Sequence, residues 1–450
     1  MLRNIIANKI FFCISVFVLF ISFAFNAFGT VSTEKFLYDF KDSESLIYNQ
    51  VLCPDSVLND QLLQNKKGYE GQLKSCDSEN LVAYSSQYGL QGKVYDTSAD
   101  ALSKIGVGPV AFLSIANLLT ALLSALIFGL LVLWFRNNFG NFVGYCVMVG
   151  VCLSPMIVGF SRNLYWALPL LIVPIVYALY FYKAEADKRY NIKFFIGLGV
   201  LLIARYLCGY EYASTITIAL MAVVGYFILL QKSNLKQYFK IFIITGMVSV
   251  LAFTVALGIH VMSLNNYSGS TRNSLHIVKT RAMERTSRSD HYLNFAYDGT
   301  KASLNDHYQI TNTYLQYESL KQGESLALAL IFSVVNYALL PVYNLPISFH
   351  QPFATYAQSS ILFIMVLSFI FYKRHKIFDK KTVKKVNALY FVFYFGLIGS
   401  CSWFILANSH SLVHVHINGI LIYLPSAIFG YAILAFTAQS YILKIKKRYG

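Results

Sequence analysis

The sequence predicts an all-α polytopic membrane protein with about ten transmembrane helices and two large outer loops. Of its 450 residues, 56% are apolar and only 13% are charged, whereas soluble domains carry about 25% charged residues. Many apolar runs exceed the ~18 residues that a membrane-spanning helix needs. These two observations exclude a soluble enzyme, a disordered protein and a small disulfide-stabilised scaffold. The third observation is the distribution of lysine and arginine, which orients the chain.

The first apolar segment follows Arg3 and Lys9, an arrangement that is also found in secretory signals. Its apolar run is long for a signal and no clean small-x-small cleavage site follows it, so we interpret it as an uncleaved anchor. The ten predicted spans lie at 9–28, 107–135, 141–160, 165–182, 193–210, 212–231, 241–262, 357–373, 387–407 and 417–443.

Basic residues set the orientation of these spans. Placing the amino terminus in the cytoplasm puts 21 of the 37 basic residues on the cytoplasmic side and leaves only Arg162 and Arg205 in the short outer turns. Because lysine and arginine accumulate in cytoplasmic loops, both termini are predicted inside, with the long loops outside. The formal net charge of +16 therefore reflects orientation, and nucleic acid is not a predicted partner.

The spans and loops divide the chain into five parts, one of which carries an ambiguous segment. Residues 324–347 are apolar enough to cross, but crossing would turn the basic segment 373–385 outward, so a re-entrant or interfacial element is expected there. An eleventh span is the alternative. The parts are the anchor 1–28, the first outer loop 29–106 with candidate catalytic acids, the spans of 107–262, the second outer loop 263–356, and the last three spans with a basic tail at 357–450.

The cysteines predict one disulfide and no zinc centre. Five of the seven fall inside predicted spans, where a thiol behaves as a small apolar group. Cys53 and Cys76 share the first outer loop, in a compartment that permits a disulfide. No CxxC motif or Cys/His cluster suggests zinc.

Glu211 is the one acid at membrane depth, in an outer turn, and Arg205 lies six residues before it. An ionisable residue at this depth predicts a functional site. An interfacial salt bridge between the two residues, which would tie two spans together, is the alternative interpretation.

Arginines supply candidate phosphate ligands. Arg162 and Arg205 lie at outer span ends, where a guanidinium can bind a lipid phosphate with two hydrogen bonds. In the second loop, Arg281, Arg285 and Arg288 follow i, i+4, i+7 spacing, so a helix would place them on one face. Such a row predicts a phosphate or diphosphate ligand. A solvated face paired to Glu284 is the alternative.

Eight of the nine histidines fall on the predicted outer side, and three of them, His410, His414 and His416, lie in the turn between the last two spans. His410 and His414 are one helical turn apart, which is compatible with a shared metal. Binding of a phosphate or a sugar hydroxyl and simple turn-filling are the other interpretations.

Acids also follow the first span closely, at Asp39, Asp42 and Glu44. A carboxylate within hydrogen-bond reach of an attacking hydroxyl acts as a general base, and paired carboxylates also bind divalent cations. The alternative is an ordinary solvated acidic loop. The polar, glycine-bearing segment 84–92 precedes the second span and suggests a substrate-shaping turn without an assigned chemical role.

This arrangement of Asp39, Asp42 and Glu44 after the first span, with Arg and His at later outer span ends, resembles the GT-C class of integral membrane glycosyltransferases. The resemblance covers the whole chain as architecture, and its motifs are of low specificity. It implies a catalytic acid in the first outer loop and a polyprenyl-phosphate-linked sugar as donor.

The predicted function is transfer of that sugar to a cell-surface glycan or lipid-linked acceptor, at the periplasmic face of a bacterial inner membrane. Asp42 is the predicted base, supported by Glu44 or Asp39. The predicted substrate ligands are Arg162, Arg205, Glu211, the arginine row and the three histidines. No cofactor is predicted with certainty, and a divalent cation is compatible with the acids. The alternatives are an O-antigen-type polymerase or ligase, a flippase or transporter of an anionic lipid-linked substrate, and a non-catalytic scaffold.

Overall fold

Helices make up most of what the computed structural model describes, namely residues 2–37, 43–53, 62–65, 81–183, 188–230, 235–286, 334, 341–348, 355–374, 380–407, 410–411 and 418–449. The helices are α1 (Leu2–Phe25), α2 (Thr33–Leu37), α3 (Ser45–Leu52), α4 (Leu90–Ser103), α5 (Pro109–Phe139), α6 (Asn141–Cys152), α7 (Pro155–Phe160), α8 (Leu168–Phe181), α9 (Lys188–Cys208), α10 (Ala213–Leu230), α11 (Leu235–Ser268), α12 (Thr271–Thr286), α13 (Ile361–Arg374), α14 (Lys380–Leu406) and α15 (Ser426–Tyr449). A short 3₁₀ helix spans Asn418–Tyr423.

Long apolar helices confirm that the chain is a helical polytopic membrane protein. Only a helix satisfies the backbone of a single apolar segment in lipid, because each N–H finds its acceptor within the segment. Seven helices in the described part of the chain are long and apolar enough to cross a membrane: Ile6–Phe25, Pro109–Phe139, Asn191–Cys208, Ala213–Leu230, Phe239–Ser268, Thr382–Leu406 and Ser426–Lys446. They coincide with seven of the ten predicted spans.

The other three predicted spans are shorter helices. The segment 141–160 breaks into α6 and α7, because α6 ends at Cys152 and Pro155 begins the next helix, the position that proline tolerates. The hydroxyls of Ser22 and Thr30 donate to the carbonyl oxygen that the break leaves on Cys152, at 3.3 and 2.8 Å. Helices α8 and α13 contain 14 residues each. The helices in these three places are therefore shorter than the predicted spans, and the number of ten transmembrane helices stays a prediction.

Aromatic side chains fill the centre of the bundle. Helix α1 packs on α5 and α6, α10 packs on α8, α11 and α14, and α15 packs on α6 and α14. At the junction of α5, α10 and α15, the ring centroid of Trp134 lies 5.5 Å from that of Tyr226 and 5.1 Å from that of Phe135. Phe135 in turn contacts Phe429 edge-on at 5.1 Å. These rings are buried, and each such pair contributes about 0.5–1.5 kcal/mol beyond its buried area.

The two ends of the bundle differ in chemistry. At one end, Arg136 donates to the carbonyl oxygen of Ala7 at 2.9 Å, and Lys385 donates to that of Asn138 at 3.4 Å. This end, which gathers the start of α1, the end of α5 and the start of α14, is called the basic end. The opposite end carries the turn 161–167 between α7 and α8 and the turn 209–212 between α9 and α10. It is called the polar end.

Both loops contain strands that the sequence did not predict. Strands β1 (Leu62–Asn65) and β2 (Leu81–Tyr84) pair antiparallel, as do β3 (Pro341–Ser348) and β4 (Thr355–Ser360). Asn344 of β3 docks on the polar end, where its backbone N–H donates to Leu153 at 2.7 Å and its side chain donates to the carbonyl oxygen of Thr30 at 3.0 Å. Within the predicted re-entrant segment 324–347, the described residues 341–347 are thus strand, and most of the rest lies outside the described residues.

Candidate functional site

The turn 161–167 is the frame of the polar end. Its backbone is fixed from inside, because the side-chain oxygen of Asn163 accepts from Trp166 N–H at 2.9 Å. It is also fixed from outside, because Ser124 of α5 donates to the carbonyl oxygen of Ser161 at 2.7 Å. Ala167 closes the turn with a φ of 45°. Groups of the predicted site lie on both sides of this turn.

Glu44 holds one side of the turn. Its side chain is 1% exposed, and its Oε1 accepts a hydrogen bond from the backbone N–H of Leu164 at 2.9 Å. Burial raises the pKa of the Tyr48 hydroxyl, and the nearby Glu44 carboxylate raises it further. Burial lowers the pKa of Arg162, while the Glu44 charge opposes that change. Glu44, Tyr48 and Arg162 therefore form one buried electrostatic cluster.

Arg162 connects this cluster to α2. Its guanidinium donates to the carbonyl oxygen of Phe36 at 2.7 Å and lies over the Phe36 ring, 3.9 Å from the centroid. A guanidinium over an aromatic face gains about 0.5–2 kcal/mol. Arg162 was predicted to hold a phosphate, and in this structure its guanidinium binds Phe36 of α2.

The opposite side of the turn leads to Glu211. The carbonyl oxygen of Tyr165 accepts from the Gln91 side chain at 3.0 Å, which ties the turn to α4. The Trp166 ring stacks on Tyr212, with centroids 5.7 Å apart. Because Tyr212 follows Glu211 directly, this stack places the second acidic group beside the same turn that Glu44 holds.

Glu211 forms a buried ion pair with the second loop. Its Oε1 lies 3.1 Å from the guanidinium of Arg285, and the two side chains are 4% and 15% exposed. Arg205, the predicted partner, instead donates to the backbone carbonyl oxygen of Glu211 at 3.2 Å. The alternative interpretation, a salt bridge between the Arg205 and Glu211 side chains, is therefore wrong: Arg205 binds the backbone of Glu211, and the carboxylate pairs with Arg285. The reason is that Arg205 lies in the last turn of α9, where a basic side chain caps backbone carbonyls, while the carboxylate faces α12.

Gln87 completes the surroundings of Glu211. An ideal Cβ built on Gly209 would lie 2.5 Å from Glu211 Oε2 and 2.6 Å from Gln87 Oε1, so both side-chain ends lie next to this glycine. Gln87 is fully buried. Among the described residues, neither its oxygen nor its nitrogen has a hydrogen-bond partner.

His260 of α11 forms the far wall. Its Nδ1 lies 3.0 Å from the hydroxyl of Tyr210, the residue before Glu211. The positive charges of Arg285 and Lys93 both act on this imidazole. We call Gln87, Lys93, Arg205, Glu211, His260 and Arg285 the Glu211 pocket.

The structure brings together only part of the predicted set. His410 contacts the ring of Trp403 at 5.8 Å, and Trp403 contacts Tyr212 at 4.8 Å, so His410 lies two rings away from the Glu211 turn. Arg281 is on α12 with Arg285 but is exposed, so the described part of the arginine row does not converge. Cys53 is disulfide-bonded. The remaining predicted residues, Asp39, Asp42, Cys76, Arg288, His414 and His416, lie outside the described residues.

Sequence reasoning missed Gln87, Gln91, Lys93 and His260 as members of the site. A signal existed for the first two, because the segment 84–92 was singled out as a polar turn. No group of three or more His, Cys, Asp or Glu residues with metal-binding geometry occurs in the described part of the chain. No family model matches the chain, and no curated protein or solved structure matches it either.

Proposed function

We propose that this protein is a membrane glycosyltransferase that moves a sugar from a polyprenyl-phosphate donor to a glycan or lipid-linked acceptor. One observation carries the proposal. The polar end gathers two buried carboxylates, Glu44 and Glu211, and three arginines, Arg162, Arg205 and Arg285, around a single turn. Charged groups are expensive to bury. A cluster of five such groups at one end of the bundle therefore favours a site that binds a charged lipid headgroup over a purely structural role.

The proposed chemistry uses a base and a cationic leaving-group site. Asp42 takes the proton of the acceptor hydroxyl, the hydroxyl oxygen bonds to the anomeric carbon, and the bond from that carbon to the phosphate oxygen breaks. The electron pair leaves with the phosphate, where Arg205 and Arg285 stabilise the charge. Direct attack inverts the anomeric configuration. Glu44 is given the role of a positioning residue, because its carboxylate binds the Leu164 backbone and lies beside Arg162.

The site's place in the fold supports a lipid-linked donor. Both Arg205 and Glu211 sit where α9 meets α10, at the end of two helices that are long enough to span a bilayer. A phosphate attached to a polyprenyl chain is held at that depth. A transporter usually has its ionisable residues near the middle of its spans, whereas the described buried charges of this chain lie at the polar end. We place that end at the periplasmic face of a bacterial inner membrane.

Turnover in lipid nanodiscs with polyprenyl-phosphate sugars and membrane glycan acceptors tests the proposal. Asp42→Asn is expected to lower kcat at least 100-fold, the usual contribution of a general base, with little change in the KM for donor. Arg285→Gln is expected to raise that KM. Asp100→Asn is the matched control, because Asp100 forms an exposed ion pair with Lys104. Absence of turnover with every lipid-linked sugar tested would contradict the proposed transferase activity.

The same variants separate the transferase from a polymerase or ligase that relies on arginines. If Asp42→Asn keeps full activity while Arg285→Gln loses it, the base assignment is wrong and the polymerase interpretation is favoured.

A further inference from the structure

An open apolar groove runs along α11, between α10 and α14. Its volume is about 840 Å³, and aliphatic and aromatic side chains line most of it. Helix α11 is long and apolar enough to span a membrane, and of the seven such helices in the described part of the chain it has the smallest buried share. The groove is therefore a concave surface that faces lipid.

Three phenylalanine rings form part of the wall of this groove. The ring centroid of Phe242 on α11 lies 6.3 Å from that of Phe391 and 6.0 Å from that of Phe395, both on α14. Gly225 of α10 leaves room for these rings, because a Cβ built there would collide with Phe391. On α11 itself, a Cβ built on Gly246 would have no atom within 4 Å. The wall is thus packed behind the rings and open in front of Gly246, and its volume lies in the range of about 300–1,000 Å³ that binds small molecules.

The groove leads towards two lysines. Lys240 precedes Met247 of the groove lining by seven residues, so helix periodicity places both on one face of α11. Lys384 precedes Phe391 by the same number of residues and lies on the corresponding face of α14. Phe242, near the start of α11, contacts Phe391 near the start of α14, so both helices begin at the basic end. The two lysines therefore lie where the groove meets that end.

The charges around this end of the groove are mostly positive. The acidic side chains that the structure describes, Glu44, Asp96, Asp100 and Glu211, belong to the polar end and to α4. In the sequence, the segments predicted on the side of the basic end hold 21 basic residues against three acids. Each lysine near a membrane surface attracts an anionic lipid headgroup. The acyl chains gain little by leaving the surrounding lipid, which is equally apolar, so the headgroup decides which lipid is bound.

We propose that this groove binds an anionic phospholipid, with its acyl chains against Phe242 and Gly246 and its phosphate-bearing headgroup beside Lys240 and Lys384. A lipid held there covers the face of α11 that the chain itself leaves open. Because it binds the folded protein and not the unfolded chain, it also stabilises the fold. The site lies at the opposite end of the bundle from the Glu211 pocket and does not rest on the proposed function.

Lipid binding by the purified protein tests this site. Phosphatidylglycerol and phosphatidylcholine with identical acyl chains are titrated separately into the protein in detergent, and native mass spectrometry gives the Kd of each lipid from the bound fraction. Phosphatidylglycerol is expected to bind at least tenfold more tightly. Lys240→Gln and Lys384→Gln are each expected to raise its Kd roughly fivefold, the factor that corresponds to about 1 kcal/mol per lysine, and to leave the Kd of phosphatidylcholine unchanged.

Gly246→Phe tests the groove itself. The new ring enters open space, so the fold is kept while the acyl chains are excluded, and the Kd of phosphatidylglycerol is expected to rise at least tenfold. Gly258→Phe is the matched control, because Gly258 lies on the same helix, also has no atom within 4 Å of a built Cβ and does not line the groove. It is expected to leave the Kd unchanged. If Gly246→Phe does not fold, Lys240→Gln, at an exposed position, still tests the headgroup site.

Lys446→Gln separates a specific site from a diffuse attraction to the basic end. Lys446 is exposed on α15, a helix that contributes no residue to the groove, so its replacement is expected to leave the Kd of phosphatidylglycerol unchanged. An equal rise of this Kd in Lys446→Gln and Lys240→Gln overturns the proposal. Unchanged binding in Gly246→Phe, or equal binding of the two phospholipids by the wild-type protein, overturns it as well.

The same spectra reveal whether the groove has another occupant. A wild-type dimer that Gly246→Phe converts into a monomer would assign the groove to a second copy of the chain. Displacement of phosphatidylglycerol by polyprenyl phosphate, whose own Kd rises in Gly246→Phe but not in Lys240→Gln, would assign it to the lipid chain of the proposed donor. Either result overturns the phospholipid site, and both leave the proposed function standing.

Discussion

Replacement of Gly209 by alanine tests how tightly the Glu211 pocket is packed. The added methyl carbon would lie 2.5 Å from Glu211 Oε2 and 2.6 Å from Gln87 Oε1, whereas carbon–oxygen contacts in proteins lie at about 3.3–3.6 Å. Both oxygens end flexible side chains, but both side chains are buried, and Arg285 holds the carboxylate. Both must therefore move against packed neighbours.

The expected destabilisation is that of a small overpacked group, about 1–3 kcal/mol. Backbone strain adds nothing, because Gly209 does not have a left-handed φ. With an unfolding entropy of about 2.1 cal/mol/K per residue, the apparent Tm of this 450-residue chain is expected to fall by roughly 1–3 °C.

Gly199→Ala is the matched control on α9 itself. A Cβ at this position would have only Val248 Cγ1 nearby, at 3.7 Å, which is an ordinary contact. Alanine in a helix interior is favoured over glycine by roughly 0.5–1 kcal/mol, so this variant is expected to melt at or above the wild-type temperature. The assay is thermal unfolding in one detergent at one heating rate, because irreversible unfolding makes the Tm depend on that rate. If Gly209→Ala is as stable as Gly199→Ala, the packing described here for Glu211 and Gln87 is wrong.

Two further predictions concern the supports of the site. Glu44→Ala leaves the buried Leu164 N–H without its acceptor and removes the counter-charge of Arg162, so we expect about 3–5 kcal/mol of destabilisation. Glu44→Gln keeps an acceptor and is expected to melt several degrees above Glu44→Ala. Equal melting temperatures of the two variants would contradict the role of Glu44 in binding the Leu164 backbone. Tyr206→Phe removes the hydroxyl that forms a 2.7 Å hydrogen bond with Ser249 between α9 and α11. The same thermal assay is expected to show a loss of about 0.6 kcal/mol, the average for such interhelical bonds. Tyr267→Phe, at an exposed position, is the control.

The long helices could be predicted from sequence because lipid leaves an apolar segment one way to satisfy its backbone. Seven of the spans could therefore be predicted from composition alone. The lengths of the four short helices α6, α7, α8 and α13 could not be predicted in that way. Helices α6 and α7, for example, form one apolar run in the sequence. Their break depends on Pro155 and on the hydroxyls of Ser22 and Thr30, which donate to the exposed carbonyl oxygen of Cys152. These hydroxyls come from α1 and the segment that follows it, which are distant in sequence.

The ion pair of the Glu211 pocket was beyond sequence reasoning for a similar reason. Arg205 is near Glu211 along the chain and was paired with it on that ground. Arg285 reaches the carboxylate only because α11 runs past the polar end and α12 turns back after Gly269, and nothing in the local sequence encodes that return. Gln87 was visible as part of a polar turn, but its neighbour across Gly209 was not.

The contacts of the two described buried carboxylates bear on where a catalytic base can come from. Glu44 is bound to the Leu164 backbone and sits within the Arg162 cluster, so using it as a base would dismantle the turn that holds the site together. Glu211 is bound to Arg285, and an ion-paired carboxylate is a weak proton acceptor because its charge is already neutralised. The proposed base Asp42 is therefore tested against the two described carboxylates with paired variants. If Asp42→Asn retains turnover that Glu211→Gln abolishes, the base is Glu211 and the assignment of Asp42 is wrong.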